Sequence, residues 1–289
     1  MNPILDDEQK NQSSSPSVTN QNLDNESEYV PLPSRGVFYK GTYKNMEKLK
    51  VKKLSYQEED ILTTKSYYDN GTLFQELMKT CIVDENGFKA ENLVEVDQQA
   101  LLMWLRIGAF GTDYTVKVTC PNEECKHKHE VTWDLSETEM PDFNPEVEDT
   151  LTANGYYEIE TPLTNCKVKL AISSIGRREA IAKKLKEKKA KTKSTKDNLI
   201  TLGLLSSIVE VVDEKGTVYK DWNEIYTWLE TCYKGGPLPI SDSRYIQQNL
   251  KKISLKVSLK RDIVCPKCDH TEEGVEMPMS IYFFWPEFE

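Results

Sequence analysis

Four cysteines stand in two short pairs, Cys120-Pro-Asn-Glu-Glu-Cys125 and Cys265-Pro-Lys-Cys268. A thiolate is a soft metal ligand, and a tetrahedral zinc takes four of them at Zn–S bonds of about 2.3 Å. Two intervening residues let a tight turn aim both sulfurs at one point, and four make a looser loop that can do the same. Together Cys120, Cys125, Cys265 and Cys268 predict one structural Zn2+ site. With four protein ligands the ion has no open position and cannot activate water, so its expected work is to staple the fold. Three alternatives stand beside this one. The pairs form disulfides, one of His127, His129 and His270 replaces a cysteine, or no metal binds. All three histidines lie within five residues of these cysteines.

A second group of residues could meet an anion. Gly176–Lys196 holds ten basic residues against two acids, +8 locally against −18 for the remainder of the chain. Arg177, Arg178, Lys183, Lys184, Lys186, Lys188, Lys189 and Lys191 are candidates for a nucleic-acid contact or for a face that meets an acidic partner. The run has no interleaved aromatics, which argues against single-strand stacking, and the acidic-partner or plain solvated-helix readings are preferred. No G-x-x-x-x-G-K-[ST] loop, H-E-x-x-H helix or G-x-S-x-G elbow occurs, so the expectation is a protein that is not an enzyme.

The elements that must position the cysteines follow from the surrounding pattern. Tyr114–Cys120 and Glu130–Asp134 read as strands around the first pair, and Ser254–Val264 and Gly274–Trp285 around the second. Each pair is then a knuckle at a hairpin tip, and two facing knuckles form a zinc ribbon. The 139 residues between Cys125 and Cys265 far exceed a compact spacer, so the ribbon is read as split by a helical insertion. The expected fold class is α+β. Its expected parts are a disordered polar tail over 1–28, a mainly helical segment over 29–112, and the first ribbon hairpin over 113–135. An acidic linker and α/β insertion with helices occupy 136–253, and the second hairpin with an aromatic C-terminal strand occupies 254–289.

Helix starts are legible locally. Ser55 with Glu58 and Asp221 with Glu224 are capping boxes, and Thr72 with Gln75 is a third candidate. Asp97 is expected to cap a helix that is apolar on most sides up to Phe110, and Ser241 or Asp242 to start another. Residues 134–149 carry seven acids and no base, which predicts a solvated linker. Short strands are expected at Tyr156–Glu160 and Lys167–Ile172, and helices over 176–253.

Composition sets outer bounds. In 289 residues, 38% are hydrophobic and 29% charged, with a net charge of −10. That is a polar globular chain with no overall attraction for nucleic acid or an anionic membrane. No apolar run reaches the roughly 18–20 residues of a membrane span. Met1 to Glu28 has no basic region followed by an apolar stretch, so no secretory signal is expected. A reducing cytoplasm at synthesis then favours thiols or metal ligands over disulfides. Cys81, Cys166 and Cys232 lie in apolar or strand context and read as core thiols.

The opening Leu32-Pro33-Ser34-Arg35-Gly36-Val37-Phe38-Tyr39, the two knuckles, and the closing Phe283-Phe284-Trp285-Pro286 resemble the baseplate hub subunits and hub assembly proteins of contractile-tailed phages of the T-even type. The resemblance covers residues 29–289. It implies a non-enzymatic role in building the baseplate hub, through contacts with other hub or tail proteins. It also implies assembly in the host bacterial cytoplasm followed by residence in the virion. It supplies no catalytic residues. Helical faces and the terminal aromatic segment are the expected contact surfaces, although a core strand is the preferred reading of that segment. A zinc-ribbon nucleic-acid accessory protein using the basic run is the alternative.

Overall fold

A computed structural model describes residues 27–83, 86–141, 143, 145–192, 198–277, 279, 283 and 284. Among these the fold is α+β, with nine α-helices and ten strands in four small antiparallel sheets. The first 26 residues of the expected tail lie outside the described residues.

Strand β1 (Ser27–Pro31) pairs with β2 (Lys48–Lys52), so pairing starts two residues before Tyr29. Helix α1 (Tyr56–Thr63) opens with the expected capping box: Ser55 Oγ accepts from Gln57 N–H, and Glu58 accepts from Ser55 N–H at 2.9 Å. Glu58 is buried and pairs with Lys52 at 2.7 Å. Burial alone would raise its carboxyl, but bonds from Lys52 and Ser55 outweigh that and hold it below its ordinary value. A depressed folded-state pKa means stability that is complete above the unfolded value and is lost as pH falls through the folded one. Glu58→Gln is therefore expected to flatten the acid limb of a urea-unfolding series below about pH 4.3. An unchanged limb would show that the pair contributes nothing.

A short helix α2 (Lys65–Asp69) precedes α3 (Leu73–Cys81). The box expected at Thr72 does not form. Thr72 already has near-helical backbone angles and makes no side-chain cap bond, and the Gln75 amide reaches Glu179 instead. Helix α4 (Glu95–Phe110) begins after Val94. Asp97 is therefore inside its first turn, not its cap. As expected, α4 is central: Leu101, Leu102, Met103 and Leu105 are buried. Buried Arg106 ties its end down, donating to the carbonyls of Phe283 at 2.7 Å, Gly111 at 2.9 Å and Asp113 at 3.0 Å.

Strands β3 (Asp113–Thr119) and β4 (Lys128–Asp134) form one hairpin in continuous register, with Tyr114 opposite Trp133. The acidic stretch after it is not simply a solvated linker. Leu135 and Phe143 are buried, and Phe143 meets Phe38 edge-on. After the single turn α5 (Pro145–Glu148), Glu148 pairs with Arg35 at 3.1 Å. Apolar contacts and ion pairs hold this segment against the body despite its charge.

The next stretch builds its own sheet. Strands β5 (Tyr157–Glu160) and β6 (Lys167–Leu170) are followed by helices α6 (Ile175–Thr192) and α7 (Leu199–Ser207). Then come strands β7 (Ile208–Val212) and β8 (Val218–Tyr219), and helices α8 (Trp222–Thr231) and α9 (Ile240–Ile253). The sheet order is β5-β6-β7-β8. The region expected to be helical over 176–253 thus contains two strands. Ile208-Val209-Glu210-Val211-Val212 is rich in β-branched residues, and β6 offers it an antiparallel partner. Helix α8 has its expected box at Asp221 and Glu224. Helix α9 follows Pro239, and Asp242 is again a buried first-turn residue. It accepts from Leu163 N–H at 3.1 Å and Thr164 N–H at 2.9 Å.

The chain ends with strands β9 (Lys260–Val264) and β10 (Thr271–Glu276), joined with a bulge between Glu272 and Val275. Pairing starts six residues later than expected, because Ser254–Leu259 runs without a partner strand while Val257 and Leu259 are buried. The expected strand to Trp285 stops at Glu276. Phe283 and Phe284 are nonetheless buried, against Tyr114 and Phe74. These two rings belong to the core and not to a docking surface; Tyr282, Trp285 and Pro286 lie outside the described residues.

Buried residues form two clusters. One draws on β1 to β4 and on residues 257–284, the other on β5 to α9. They meet where α6 begins. Ile175 N–H donates to Leu93 O at 2.8 Å, and Gly176 lies so close to Glu91 that an added Cβ would stand 2.6 Å from the Glu91 Cβ. Only glycine fits that approach.

Candidate metal centre

Each cysteine pair occupies the tip of a hairpin, as its flanking strands predict: the first between β3 and β4, the second between β9 and β10. The two tips are built alike. Cys120 N–H donates to His127 O and Cys265 N–H to His270 O, each at 2.9 Å. The residue after the second cysteine takes a positive φ in both, 46° at Lys126 and 55° at Asp269. That left-handed step folds each loop back so that both its thiols face one side. Arg261 of β9 reaches the Thr132 carbonyl of β4 at 3.3 Å, linking the hairpins.

The tips face each other. Cys120 Sγ lies 3.7 Å from Cys268 Sγ, and Cys125 Sγ lies 3.9 Å from Cys265 Sγ. All four sulfurs fall within 4.8 Å of one another. Four ligands on a tetrahedron of about 2.3 Å radius sit about 3.8 Å apart, so the cluster matches the size of one metal ion. None of the seven cysteines is bonded to another. Cys120 and Cys265 are buried, whereas Cys125 and Cys268 are only partly covered.

Burial pushes the Cys265 thiol up, but N–H groups of Lys267 and Cys268 outweigh it and bring it down to about 7. For Cys268 the His270 N–H works downward, yet burial and three neighbouring sulfurs prevail and raise it to about 12. Burial is also the main cause that raises Cys120. Thiols so close cannot all ionise by themselves, and a divalent cation among them removes that obstacle.

The histidines stay outside. Among the described residues the group holds the four cysteines only. His127 and His129 stack ring on ring at 5.9 Å. Both ring nitrogens of His129 are shielded without a partner among the described residues. They lie beside a cavity of about 250 Å³ between the hairpins. Cys81 and Cys166 are buried core thiols, as expected, and Cys232 is partly covered.

Sequence reading missed a second polar centre, which explains the opening motif. Buried Asp97 accepts from Ser34 N–H at 2.9 Å, Ser34 Oγ at 2.6 Å and the Tyr39 hydroxyl at 2.5 Å. The Tyr39 oxygen in turn accepts from Val94 N–H at 3.1 Å. Gly36 turns at φ 71°, and an added Cβ would stand 2.5 Å from the Met46 carbonyl oxygen. The spacing Ser-x-Gly-x-x-Tyr thus folds one turn around a single carboxylate. The available signal was an acid at a helix start, which reads as a cap when no partner is in view.

The structure separates the members of the basic run. Arg177 is spent internally, donating to Ile208 O at 2.8 Å, and Arg178 pairs with Glu95 at 3.7 Å. Lys184 stands 4.7 Å from the Trp222 ring centre and Lys188 stands 3.3 Å from that of Tyr226. The aromatics absent from the run itself are supplied by α8. Lys183, Lys186 and Lys191 are exposed and form no ion pair among the described residues, and Lys189 is half-buried. Lys193 and Lys196 lie outside those residues.

The sequence matches the model of a family described as T4 bacteriophage base plate protein, over residues 35–276. The chain belongs to this family. It is a T4-type phage baseplate protein, and so a component of the virion tail. The matched range runs from the opening motif through both knuckles to the last residue of β10. Searches of curated proteins and of solved structures find no match for the baseplate protein. Among the described residues none of its helices is long and apolar enough to cross a membrane.

Proposed function

We propose that this baseplate protein is a structural or assembly component of the hub at the centre of a contractile tail, working through protein contacts and not as an enzyme. A family match that spans both cysteine knuckles carries the reading. Cys120, Cys125, Cys265 and Cys268 hold one Zn2+, and β3–β4 with β9–β10 form a zinc ribbon split by the insertion over 136–253. Four thiolates at tetrahedral separations suit zinc and leave no ligand position for substrate. The ion joins two hairpins that are far apart in the chain, giving partners a rigid surface. Assembly takes place in the host cytoplasm and the product resides in the baseplate.

Quantitative mass spectrometry of purified virions and of tail-assembly intermediates tests this reading. A fixed, low copy number in finished particles is expected of a hub subunit, and presence in intermediates alone of an assembly factor. Absence from both, with recovery on nucleic acid, would overturn it in favour of a nucleic-acid accessory protein.

A further inference from the structure

The four cysteines can hold the two hairpins together in a second way. Cys120 and Cys265 are each 2% exposed, whereas Cys125 and Cys268 are partly covered. Two close approaches across the cluster each join one of each kind. Cys120 Sγ meets Cys268 Sγ at 3.7 Å, and Cys125 Sγ meets Cys265 Sγ at 3.9 Å. In both, the two sulfurs come from different hairpins. A disulfide is about 2.05 Å long, so either pair closes with less than about 2 Å of sulfur travel. Each tip is braced by its own backbone. Cys125 and Lys126 N–H donate to Asn122 O, and Asp269 N–H donates to Cys265 O, each at 3.0 Å. Closure therefore falls on the cysteine side chains and leaves the loops in place.

We propose that oxidation converts the cluster into two disulfides, Cys120–Cys268 and Cys125–Cys265, which take over the join between the hairpins as the ion leaves. The inference rests on the zinc reading made above. A virion tail component ends outside the cell, beyond the glutathione that keeps cytosolic thiols reduced. The oxidant is a peroxide, and the partly covered sulfur of each pair meets it first. The O–O bond breaks. One oxygen joins the sulfur as a sulfenic acid, and the other takes a proton from solvent and leaves as water. The buried thiolate opposite then attacks that sulfur from the interior side, away from the oxygen that entered from solvent. The S–S bond forms, the S–O bond breaks, and the departing hydroxide takes a second proton and leaves as water. Each peroxide removes two electrons from one pair, so two peroxides oxidise all four thiolates. The zinc departs as Zn2+, its charge unchanged, because disulfide sulfurs no longer offer it thiolates.

The test treats the purified full-length protein, reduced and loaded with zinc, with two molecules of hydrogen peroxide per chain. A chromogenic chelator is expected to report release of about one zinc per chain. Peptide mapping without reduction should find Cys120 joined to Cys268 and Cys125 joined to Cys265, in a chain about 4 Da lighter than its thiol form. The oxidised protein should melt within about 4 °C of the zinc form. A strong chelator should lower the melting temperature of the reduced protein and leave that of the oxidised one unchanged. Bonds within the knuckles, Cys120–Cys125 and Cys265–Cys268, would overturn the inference and leave the zinc reading intact. Sulfinic acids in place of bonds would do the same, as would a fall in melting temperature on oxidation equal to the fall caused by the chelator. A reduced chain that takes up no zinc would overturn the zinc reading, and the exchange with it.

Discussion

Replacing Cys265 and Cys268 together by serine is expected to abolish metal binding and to destabilise the fold by at least about 3 kcal/mol. The second hairpin is held by few other devices. Its strands carry an interrupted ladder, and most of β10 is exposed. Without the ion, Cys120 and Cys125 lose their partners across the cluster, and the buried Cys120 thiol is left with nothing to neutralise a thiolate. Loss should therefore spread to β3–β4, whose Tyr114 supports Phe283. Metal content by plasma mass spectrometry, read together with thermal melting and chelator titration, checks this. A double mutant with the parent's metal content and melting temperature would remove the metal centre from the account. Zinc-peptide affinities of about 10–16 kcal/mol overstate the expected loss here, since the clusters around α4 and around the β5–β8 sheet contribute their own stability.

Asp97→Ala is expected to cost about 3–5 kcal/mol. It leaves the Ser34 N–H, the Ser34 hydroxyl and the Tyr39 hydroxyl without an acceptor in a fully buried site. An unpaired buried donor costs about 1–3 kcal/mol, and relaxation recovers part of the sum. The pH dependence has the opposite sign to that of Glu58. Burial raises the Asp97 carboxyl above its ordinary value, more than the bonds from Ser34 and Tyr39 lower it. The folded state therefore holds its proton longer than the unfolded one, and the contribution falls as pH rises from the unfolded value through the raised one. Urea unfolding of parent and variant across that range measures both effects. A variant within about 0.5 kcal/mol of the parent, the range of an ordinary surface change, would show that the opening motif is not anchored by this carboxylate.

The proposed role, contact with other tail proteins, requires fixed surfaces. Here the devices that fix them are polar clasps between elements distant in sequence. Asp97 clasps the opening motif and Asp242 clasps the loop before β6 through two backbone N–H groups. Arg106 holds three carbonyls, one of them at Phe283. Each clasp starts on a helix and closes on a segment outside it, so a local change there is transmitted to the core.

What the amino-acid sequence by itself determined is local. The boxes at Ser55–Glu58 and Asp221–Glu224 form because donor and acceptor sit three residues apart, within reach whatever the rest of the chain does. The two knuckles and their flanking strands were legible for the same reason, since cysteine spacing sets which loops can aim two sulfurs together. The tertiary structure decided what depends on partners far along the chain. It closed the knuckles on each other across 139 residues. It turned Asp97 and Asp242 from apparent caps into buried acceptors by bringing Ser34, Tyr39 and Thr164 to them. It made Ile208–Val212 a strand by placing β6 alongside, and it buried Phe283 and Phe284 beside Tyr114 and Phe74. Local spacing limits what a segment can reach with its own atoms, whereas burial and pairing depend on which distant surface arrives, and only the packed chain settles that.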